Sequence, residues 1–572
     1  MDYFSDIKTR EDFFNILNIP LKNMTYLLYN KEKKGTENSY HSFEIKKRNG
    51  GVRVIHAPNK ELKFVQQRLL KALWRNQTKV WHDKKINPSI SHGFQKGRSI
   101  MTNAEIHRNK KFVLNVDLED FFNSFHFGRV KGFFEKDRDF KVPQAVALII
   151  AQLVCYKGAL PQGAPTSPLI TNLICRIMDL RLLKLAKRYK LDYTRYADDL
   201  TFSTNDSSFS RLSQEFLLKL ESEIKRAGFN LNPEKTRLQY KNSRQSVTGL
   251  VVNKKLNVPN EYYKKTRAMA HTLYTNGSFL IDGVEGTLAQ LEGRLSFINQ
   301  LEKRNNLSIN SGSKDYKNLG RREKEYQKFI YFKYFYANTR PTILTEGKTD
   351  SRYLKAALKK LYKNYPNLIE YKNGEFVFKI LFLHRADKEK PNKTTRLKFF
   401  FNIGPHGADS LAELYYFSSN KKSKVPGYIN YLEYFKKLNQ NMLTKPTIIV
   451  FDNELSSNGK PLRTFINSLK DEQEMHISNI RRDLSTQVTD NLYILTNKLV
   501  GTRTEAEIED LFDDKTRNKE IDGRTFSATD IGEQYYGKNI FSLYILKNYK
   551  EVDFSNFKPM LDKLNEIIIN FK

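Results

Sequence analysis

Two adjacent aspartates, Asp198 and Asp199, lie in the segment TRYADDLTFS. The residues around them alternate and are rich in Tyr, Thr and Phe, a pattern that predicts a β-hairpin with the two aspartates at its tight turn. Adjacent carboxylates repel each other, and burying them is costly unless cations neutralise their charge. Because Mg²⁺ prefers carboxylate oxygens together with substrate phosphates, this turn is a candidate metal site, and a third acid is expected on a neighbouring strand.

The segment FVLNVDLEDFFNSF supplies that third acid. Phe112 to Val116 has the pattern of a strand, and Asp117 ends it. Two neighbouring strands that carry carboxylates can hold two metal ions, one activating an attacking hydroxyl and the other stabilising a leaving pyrophosphate. Each part alone is ordinary, since most Asp-Asp pairs are solvated turns and Asp117 could equally cap a helix. The two segments in this order are much more specific.

The acid segments and the stretch between them resemble reverse transcriptases. The tetrapeptide YADD resembles the YxDD box of that family, and LPQGAPTSPLITNLI (residues 160–174) is similar to its LPQG box. The resemblance implies that Asp117, Asp198 and Asp199 are catalytic and bind two Mg²⁺, and that Gln162 and Gly163 pack beside the incoming nucleotide. It also implies the fold: an α+β right-hand polymerase with fingers, palm and a helical thumb.

Three further positions match the same family. Lys235, in GFNLNPEKTRL, is the candidate general acid for pyrophosphate, although a solvated surface lysine is the ordinary interpretation. Arg53, in GGVRVIHAP, would face the triphosphate as a charge clamp, or simply lie on the exposed face of a strand. Phe122 would lie under the sugar and exclude a 2′-hydroxyl, so that deoxynucleotides are chosen. Phe121 is the alternative gate, and one ring of the pair is expected to be plain core.

Two short motifs narrow the resemblance to bacterial retron reverse transcriptases. Asn103 to His107 (NAEIH) resembles the retron NAxxH motif, and Val247, Thr248 and Gly249 resemble its VTG triplet. In isolation His107 would be taken for a structural histidine. The resemblance implies that both motifs bind RNA and that the partner is a structured non-coding RNA encoded beside the protein. That RNA is template, its guanosine 2′-hydroxyl is primer, and the product is a branched RNA–DNA hybrid.

The charge of the chain supports a nucleic-acid partner. The net charge is +34, of which residues 1–340 carry +27 and residues 341–572 carry +7. So large an excess favours a polyanion, nucleic acid before membrane. The two cysteines, Cys155 and Cys175, lie in apolar surroundings and are expected to be reduced core residues. No apolar signal core and no run of about 18 apolar residues occurs, so a bacterial cytoplasmic location is predicted.

The second half of the chain carries another set of acids at predicted strand ends. The segment RPTILTEGKTD predicts a strand over 342–345 followed by Glu346, and KPTIIVFDNEL predicts a buried strand followed by Asp452 and Glu454. Acids after successive strands in βα order indicate a metal edge on a mostly parallel sheet. The pattern resembles a TOPRIM domain, with Glu454 in place of the second aspartate of DxD. That resemblance implies one or two further Mg²⁺ and catalysis by these acids. Whether Glu509 and Asp510 join the site stays open.

These segments predict four domains and two activities. The expected domains are fingers and palm (1–250), a helical RNA-binding thumb (251–340), a TOPRIM-like domain (341–515) and a C-terminal helical extension (516–572). The expected function is a retron RNA-directed DNA polymerase with a fused TOPRIM nuclease effector, a toxin restrained by the RNA–DNA hybrid in defence against phage. The expected partners are the cognate RNA and its DNA, deoxynucleotides and a nucleic-acid target of the effector, without a membrane; self-association stays open.

Two alternatives stay open, and the second comes from another functional class. One is a diversity-generating or intron-type reverse transcriptase, which the NAxxH and VTG motifs and the lack of a maturase signature disfavour. The other is a nucleic-acid-binding antitoxin scaffold with an inactive or non-nuclease TOPRIM domain.

Overall fold

The structure is a computed structural model that describes residues 3–29, 39–46, 50–86, 90–307, 315–386, 394–404, 409–422, 424–469, 472–529 and 533–571. The chain divides into two compact units, Met1–Pro259 and Asn260–Lys572. Among the described residues, no helix combines the length and the apolar character that a membrane crossing requires.

The first unit is an α+β domain with one central sheet. Its elements are α1 (Arg10–Leu17), α2 (Leu21–Tyr29), β1 (Tyr40–Lys46), β2 (Val52–Pro58), α3 (Lys60–Asp83), α4 (Ile100–Ile106), β3 (Phe112–Leu118), α5 (Phe127–Lys136), α6 (Gln144–Val154), α7 (Ser167–Arg188), β4 (Asp192–Tyr196), β5 (Asp199–Thr204), α8 (Phe209–Arg226), β6 (Leu231–Tyr240), β7 (Ser246–Val247) and β8 (Leu250–Val251).

The central sheet of the first unit has the strand order β4-β5-β3-β6, and all its pairs are antiparallel. One face packs on α7 and α8 through a core that includes Leu114, Phe202 and Leu182. Strands β1 and β2 form a separate hairpin, with Tyr40 opposite Pro58 and Lys46 opposite Val52. The predicted acids therefore lie on strands of the central sheet and in the turn between two of them.

The second unit opens with helices and continues into an α/β sheet. Its elements are α9 (Asn260–Asn276), β9 (Leu280–Ile281), β10 (Val284–Glu285), α10 (Leu288–Leu307), α11 (Arg321–Tyr331), a π-helical turn (Phe332–Tyr336), β11 (Thr342–Thr345), α12 (Asp350–Lys360), β12 (Ile369–Lys372), β13 (Glu375–Phe378), β14 (Leu381–Phe382), α13 (Arg396–Phe401), α14 (Ala412–Phe417), α15 (Tyr431–Asn439), β15 (Thr447–Phe451), α16 (Pro461–Leu469), α17 (Gln473–Asp483), β16 (Ser485–Gln487), β17 (Leu492–Thr496), α18 (Asp514–Arg517), β18 (Thr525–Phe526), β19 (Tyr535–Tyr536), α19 (Lys538–Lys547) and α20 (Lys558–Asn570).

The helices after residue 259 share a core with the α/β sheet that follows them. The Tyr274 ring lies 4.8 Å from that of Phe332 and 5.0 Å from that of Phe435. Phe435 belongs to α15, well beyond the boundary expected at residue 340. The division between the two compact units falls at residue 259, and within the second unit aromatic side chains on α9, α11 and α15 bury one another. Sequence patterns do not reveal such a shared core.

The sheet of the second unit has five strands in the order β14-β11-β15-β17-β16. Strands β14, β11, β15 and β17 are parallel, and β16 is an antiparallel edge strand. Strands β11 and β15 are buried along their whole length, as parallel strands covered on both faces are. Residues 516–572, expected to be a helical extension, include α19 and α20 together with the short strands β18 and β19. Helix α19 packs on α12, with the rings of Phe541 and Tyr353 5.9 Å apart.

Candidate active sites

The first acid cluster lies where β3 meets the β4–β5 hairpin. Asp117 on β3 pairs in register with Asp199 on β5, and Asp198 is in the hairpin turn. Ala197, just before the two aspartates, adopts a positive φ of 58°. Gly93 packs so closely on this turn that a Cβ atom there would lie 2.6 Å from the Ala197 nitrogen. The turn is therefore held by backbone packing, and the three acids meet at one edge of the sheet.

The electrostatics of this cluster favour a bound cation. Burial raises the pKa of Asp198, and the Asp117 carboxylate adds to the effect. Asp199 is open to the cleft, but the protein around the cleft weakens its hydration. This desolvation, with repulsion from Asp198 and Asp117, raises the pKa of Asp199 to about 7. The Lys235 ammonium lies 2.8 Å from Asp117, and Arg53 also lowers the pKa of Asp198.

A buried ion pair behind the turn was not predicted from the sequence. The Arg195 guanidinium donates to both oxygens of Asp179, at 2.8 and 2.7 Å. Arg195 also donates to the Ala197 carbonyl at 3.2 Å, and Tyr193 donates to Asp179 at 3.0 Å. The Arg195 side chain is fully buried. The pair therefore ties the acid-bearing turn to α7, and nothing local in TRYADD indicates that the partner lies in α7.

The predicted VTG triplet lines the cleft in front of the acids. Thr248 and Gly249 both have positive φ, at 47° and 81°, and form the two-residue turn between β7 and β8. A cleft of about 510 Å³ is lined by these two residues together with Asp117, Asp199 and Lys235. Val247 is buried, so its side chain anchors the turn and cannot reach RNA. Thr248 and Gly249 remain candidates for nucleic-acid contact.

The LPQG segment packs against the β1–β2 hairpin. The His56 amide donates to the Gln162 carbonyl at 2.8 Å. Gly163 has a φ of 122°, and a Cβ atom there would lie 2.6 Å from the His56 carbonyl oxygen. Glycine is therefore required at this position both for its conformation and for the close approach. The contact brings Gln162 and Gly163 to the strand that carries Arg53.

The two rings of the Phe121–Phe122 pair have different surroundings. Phe121 is buried and stacks on Phe229 with ring centroids 5.8 Å apart. Phe122 is half-buried and lies 6.4 Å from the ring of Phe94, which is 40% exposed. Of the two, Phe122 is the ring that can meet a nucleotide.

The buried members of the NAxxH motif require a correction. His107 is completely buried, and its two ring nitrogens lie 2.7 Å from the hydroxyls of Ser203 and Thr194. Burial lowers the pKa of His107 to about 3, so the ring is neutral. Asn103 is also completely buried. Neither side chain can contact RNA, because both are enclosed in the core. His107 instead links α4 to β4 and β5 from inside the core.

The chain has curated relatives that match these features. The family model described as "Reverse transcriptase (RNA-dependent DNA polymerase)" matches residues 45–259. The retron Ec86 reverse transcriptase of Escherichia coli is 34% identical over 288 residues, which cover 49% of this chain and 82% of that protein. The chain belongs to the retron reverse transcriptases.

Other retron enzymes are matched over less of their length. The Mx65 and Mx162 reverse transcriptases of Myxococcus xanthus are 36% and 34% identical, over 46% and 52% of this chain. The chain spans 61% and 65% of those two proteins. A solved telomerase from Candida albicans overlaps with a TM-score of 0.30 at 14% identity, over 55% of this chain and 60% of that one. That likeness is too slight to carry an argument.

Reverse transcriptases use Mg²⁺ in the polymerase site, and the residues of this retron reverse transcriptase fit that ion. Asp117, Asp198 and Asp199 provide hard oxygen donors, and their repulsion is only partly offset by Lys235. Among the described residues, no group of three or more His, Cys, Asp or Glu side chains is arranged so that it could hold a metal ion. The fit therefore lies in the donor chemistry and the unbalanced charge.

The second unit of this retron reverse transcriptase contains another acid cluster. Glu346 and Asp452 follow β11 and β15, and the Asp452 amide donates to Glu346 Oε2 at 3.4 Å. Asp350, the first residue of α12, accepts from the Gly347 amide at 2.7 Å. Glu509 is 2% exposed, and its carboxylate lies beside the Lys538 ammonium. The cluster lies at the carboxyl edge of a parallel sheet, where active sites of α/β folds form.

Mutual repulsion links these four acids. Burial raises the pKa of Glu346 to about 7, and Asp350 adds to the shift. Burial, with repulsion from Asp350 and Glu346, raises the pKa of Asp452 well above its usual range. The pKa of Glu509 also rises to about 7 through burial, although the Lys538 ammonium lies 3.2 Å from its carboxylate. Such a set of buried and half-buried acids has the donor chemistry that a divalent cation prefers.

The structure changes the predicted membership of this cluster. Glu454 is buried but its carboxylate is 2.5 Å from the Lys460 ammonium, so its charge is already paired. Asp510 pairs with Arg503 and Arg517, at 2.5 and 3.2 Å. Asp350 acts on both Glu346 and Asp452, and Glu509 acts on Asp452, so these two acids are added to the cluster. Asp350 was missed because an acid at the start of a helix is ordinarily a helix-dipole residue.

Proposed function

We propose that this chain copies a cognate structured RNA into branched, RNA-linked single-stranded DNA and cleaves nucleic acid at a second site. The family places the polymerase in a retron. In support of the priming step, the cleft beside Asp117 is lined by the Thr248–Gly249 turn that resembles the retron VTG triplet. Residues 251–340 are proposed as the RNA-binding thumb, and 341–515 as a TOPRIM-like domain. A bacterial cytoplasmic location is part of the proposal.

The roles proposed for polymerase residues follow from their positions. Asp117, Asp198 and Asp199 would hold two Mg²⁺, which in such sites stabilise the attacking hydroxyl and the leaving pyrophosphate. Lys235 extends from β6 to Asp117 and would donate a proton to pyrophosphate. Arg53 would meet the triphosphate, since its charge acts on the same cleft. Phe122 would pack under the sugar and exclude a 2′-hydroxyl.

The linkage in the product tests the polymerase proposal directly. The full chain is expressed with the RNA encoded next to its gene, and the labelled DNA is examined under denaturing conditions. The DNA should remain joined to RNA and be released by an enzyme that cleaves 2′–5′ branches. DNA released without debranching would contradict 2′-hydroxyl priming, while DNA synthesis itself would still fit the family.

The proposed second activity is metal-dependent phosphodiester cleavage. The observation that carries it is a set of four mutually repelling carboxylates, of which Asp350 and Glu509 are buried and Glu346 and Asp452 half-buried. Their oxygen donors fit one or two Mg²⁺. The Lys538 ammonium beside Glu509 would stabilise negative charge that develops on a phosphate. A polymerase that already synthesises DNA has no need of a second synthetic site, which favours cleavage.

The RNA–DNA hybrid is the proposed restraint on that cleavage, in the manner of an anti-phage toxin. In cells that carry the intact complex, growth should be normal, and induced degradation of the hybrid should arrest it. Glu346→Gln should relieve the arrest without lowering DNA synthesis, and Glu474→Gln, at an exposed glutamate on α17, should not. Equal arrest with Glu346→Gln would contradict the assignment.

The pairing of Glu454 with Lys460 favours one rival, in which the second unit is a scaffold without nuclease activity. This rival predicts no Mg²⁺-dependent cleavage of RNA or DNA by the purified, hybrid-free chain. It also predicts that Glu346→Gln leaves growth unchanged in every condition. Cleavage that is lost in Glu346→Gln and retained in Glu474→Gln would exclude it.

A further inference from the structure

Helix α12 presents a row of basic side chains that begins at the second acid cluster. Arg352, Lys355 and Lys359 are spaced i, i+3 and i+7, which places them on one face of the helix. Lys348 is exposed in the turn just before α12. The opposite face is buried in the core of the second unit, through side chains such as Tyr353 and Leu354. We call Lys348, Arg352, Lys355 and Lys359 the basic row.

Neighbouring groups hold the basic row against the protein surface. Arg352 donates to Asn539 Oδ1 and Ser542 Oγ, each at 2.9 Å. The Lys355 ammonium lies 4.9 Å from the ring centroid of Phe382. Side chains that are already held by such contacts lose less conformational entropy when they bind a phosphate. The row therefore offers spaced, pre-positioned positive charges.

An aromatic hollow lies at the far end of the same helix. It has a volume of about 610 Å³, and Lys359 and Lys360 line it with Tyr362, Tyr371, Phe376 and Tyr549. The Tyr371 and Phe376 rings are 4.8 Å apart, and the Phe376 and Tyr549 rings 6.0 Å. Tyr371 is 52% exposed. Exposed rings beside lysines are the combination on which unpaired bases stack.

The length of α12 sets the separation between the acid cluster and the aromatic hollow. The helix runs from Asp350, in the acid cluster, to Lys360, at the hollow, which is about 15 Å at 1.5 Å per residue. A stacked strand advances about 3.4 Å per nucleotide, so about four nucleotides would separate a phosphate at the acids from a base in the hollow.

We propose that the basic row and the aromatic hollow form a track that binds a single nucleic-acid strand and leads it to the acid cluster. Phosphates would lie along Lys348, Arg352, Lys355 and Lys359, and an unpaired base would stack on Tyr371. This inference rests on the proposed cleavage site, whose substrate it specifies as a single strand. Paired bases are stacked within their own duplex and cannot enter the hollow, so duplexes are poor ligands of the track.

Ultraviolet cross-linking of the full chain tests the track. The probes are an oligouridylate and an oligothymidylate of about 15 nucleotides, within the range of single-strand binding surfaces. Cross-linked peptides are identified by mass spectrometry, so the polymerase site and the track are scored separately in one sample. Peptides that contain Tyr371 or Tyr549 should cross-link, and single strands should compete much better than a duplex of the same length. RNA or DNA preference follows from the two probes.

Matched variants separate the track from other surfaces. Lys355→Glu with Lys359→Glu should lower cross-linking at Tyr549 about tenfold, and Lys359→Arg should preserve it. Tyr371→Ala should weaken binding by a similar factor, since stacking on one ring is typically worth that much. Lys422→Glu is the control, because the Lys422 ammonium lies 3.6 Å from the Tyr416 ring centroid, away from α12. Cross-links confined to the polymerase unit, or equal competition by duplex, would overturn the track.

The outcomes distinguish this inference from the proposed cleavage. If the track cross-links but no nucleic acid is cut in Mg²⁺, the cleavage proposal fails and the track stands as a binding surface. If cleavage depends on Glu346 but is unchanged in Lys355→Glu with Lys359→Glu and in Tyr371→Ala, the track is wrong and the cleavage site stands.

Discussion

The two acid clusters of this chain are built on opposite kinds of sheet. In the first unit, an antiparallel register pairs Asp117 with Asp199, and a hairpin turn adds Asp198 at an open cleft. In the second unit, parallel strands end at a common edge, and Glu346 and Asp452 are joined by acids from the start of α12 and from a distant 3₁₀ helix (Ile508–Leu511). Local sequence therefore specifies most of the first cluster, whereas the second depends on long-range packing.

The clusters also differ in how their charge is balanced. One lysine, Lys235, contacts the first cluster across the sheet, and its hydrogen bond with Asp117 raises its own pKa. In the second cluster Lys538 contacts only Glu509 of the four acids, and Lys460 pairs with the neighbouring Glu454. An open cleft suits a site through which successive nucleotides pass. The second cluster is more enclosed, so its substrate must be led to the acids.

Substituting the acids of one cluster at a time should have the largest effect, because each cluster is proposed to serve a different activity. Asp198→Asn with Asp199→Asn should abolish DNA synthesis, because the proposed ligands of the polymerase metals lose their charge, and should leave the proposed cleavage by the hybrid-free chain intact. Glu346→Gln with Asp452→Asn should do the reverse. Both activities are measured on each purified protein. Loss of both activities in either variant would show that the clusters are not independent.

The ion pair behind the first cluster should have the next largest effect. Asp179→Ala leaves the buried Arg195 guanidinium without its partner, so the free energy of unfolding of the first unit should fall by about 3–5 kcal/mol. Denaturant titration measures the change. Glu215→Ala removes an exposed partner of Lys219 at 2.5 Å and should have a much smaller effect, because solvent screens exposed ion pairs. Equal losses would mean that Arg195 does not hold the turn.

Substituting Phe122 and Phe121 in turn tests which ring selects the sugar in the first site. Phe122→Ala should open space under the sugar and reduce discrimination against ribonucleotides by up to about 100-fold, the scale at which an apolar pocket rejects an added hydroxyl. Phe121→Ala should leave discrimination unchanged and instead destabilise the core. Single-nucleotide incorporation kinetics provide the measurement. A change in discrimination only in the Phe121 variant would move the gate to that ring.

The smallest expected effect concerns His107. Its pKa is about 3 in the folded protein and about 6.5 when unfolded. The unfolded chain therefore takes up a proton that the folded chain does not, and stability is lost as the pH falls below 6.5. Between pH 7.5 and 5.5 the loss attributable to His107 should be about 1.4 kcal/mol.

Comparison of variants isolates that contribution. The fall in the free energy of unfolding between the two pH values should be about 1.4 kcal/mol smaller in His107→Gln than in the unmodified chain. His82→Gln, at an exposed side chain, should keep the full fall. An unchanged fall in His107→Gln would contradict burial of a neutral ring.

The sequence by itself determined the polymerase acids, the hairpin that presents them and the strands that carry Glu346 and Asp452. These features are local. The alternation of apolar and polar residues, the turn residues and the acid that ends a strand all lie within about ten residues of one another. The retron motifs were recognisable for the same reason. Their chemical roles were less predictable, since the His107 position in NAEIH does not reveal that Ser203 and Thr194 enclose it.

Only the tertiary structure decided which side chains share a site. Asp350 and Glu509 join the second cluster, and Lys460 pairs with Glu454 beside it, through contacts that depend on the sheet order and on α12. The boundary at residue 259 likewise reflects the burial of Tyr274 against Phe435. The physical reason is the same in each case: burial and charge pairing are set by groups that are far apart in the chain, and no local pattern encodes which of them will meet.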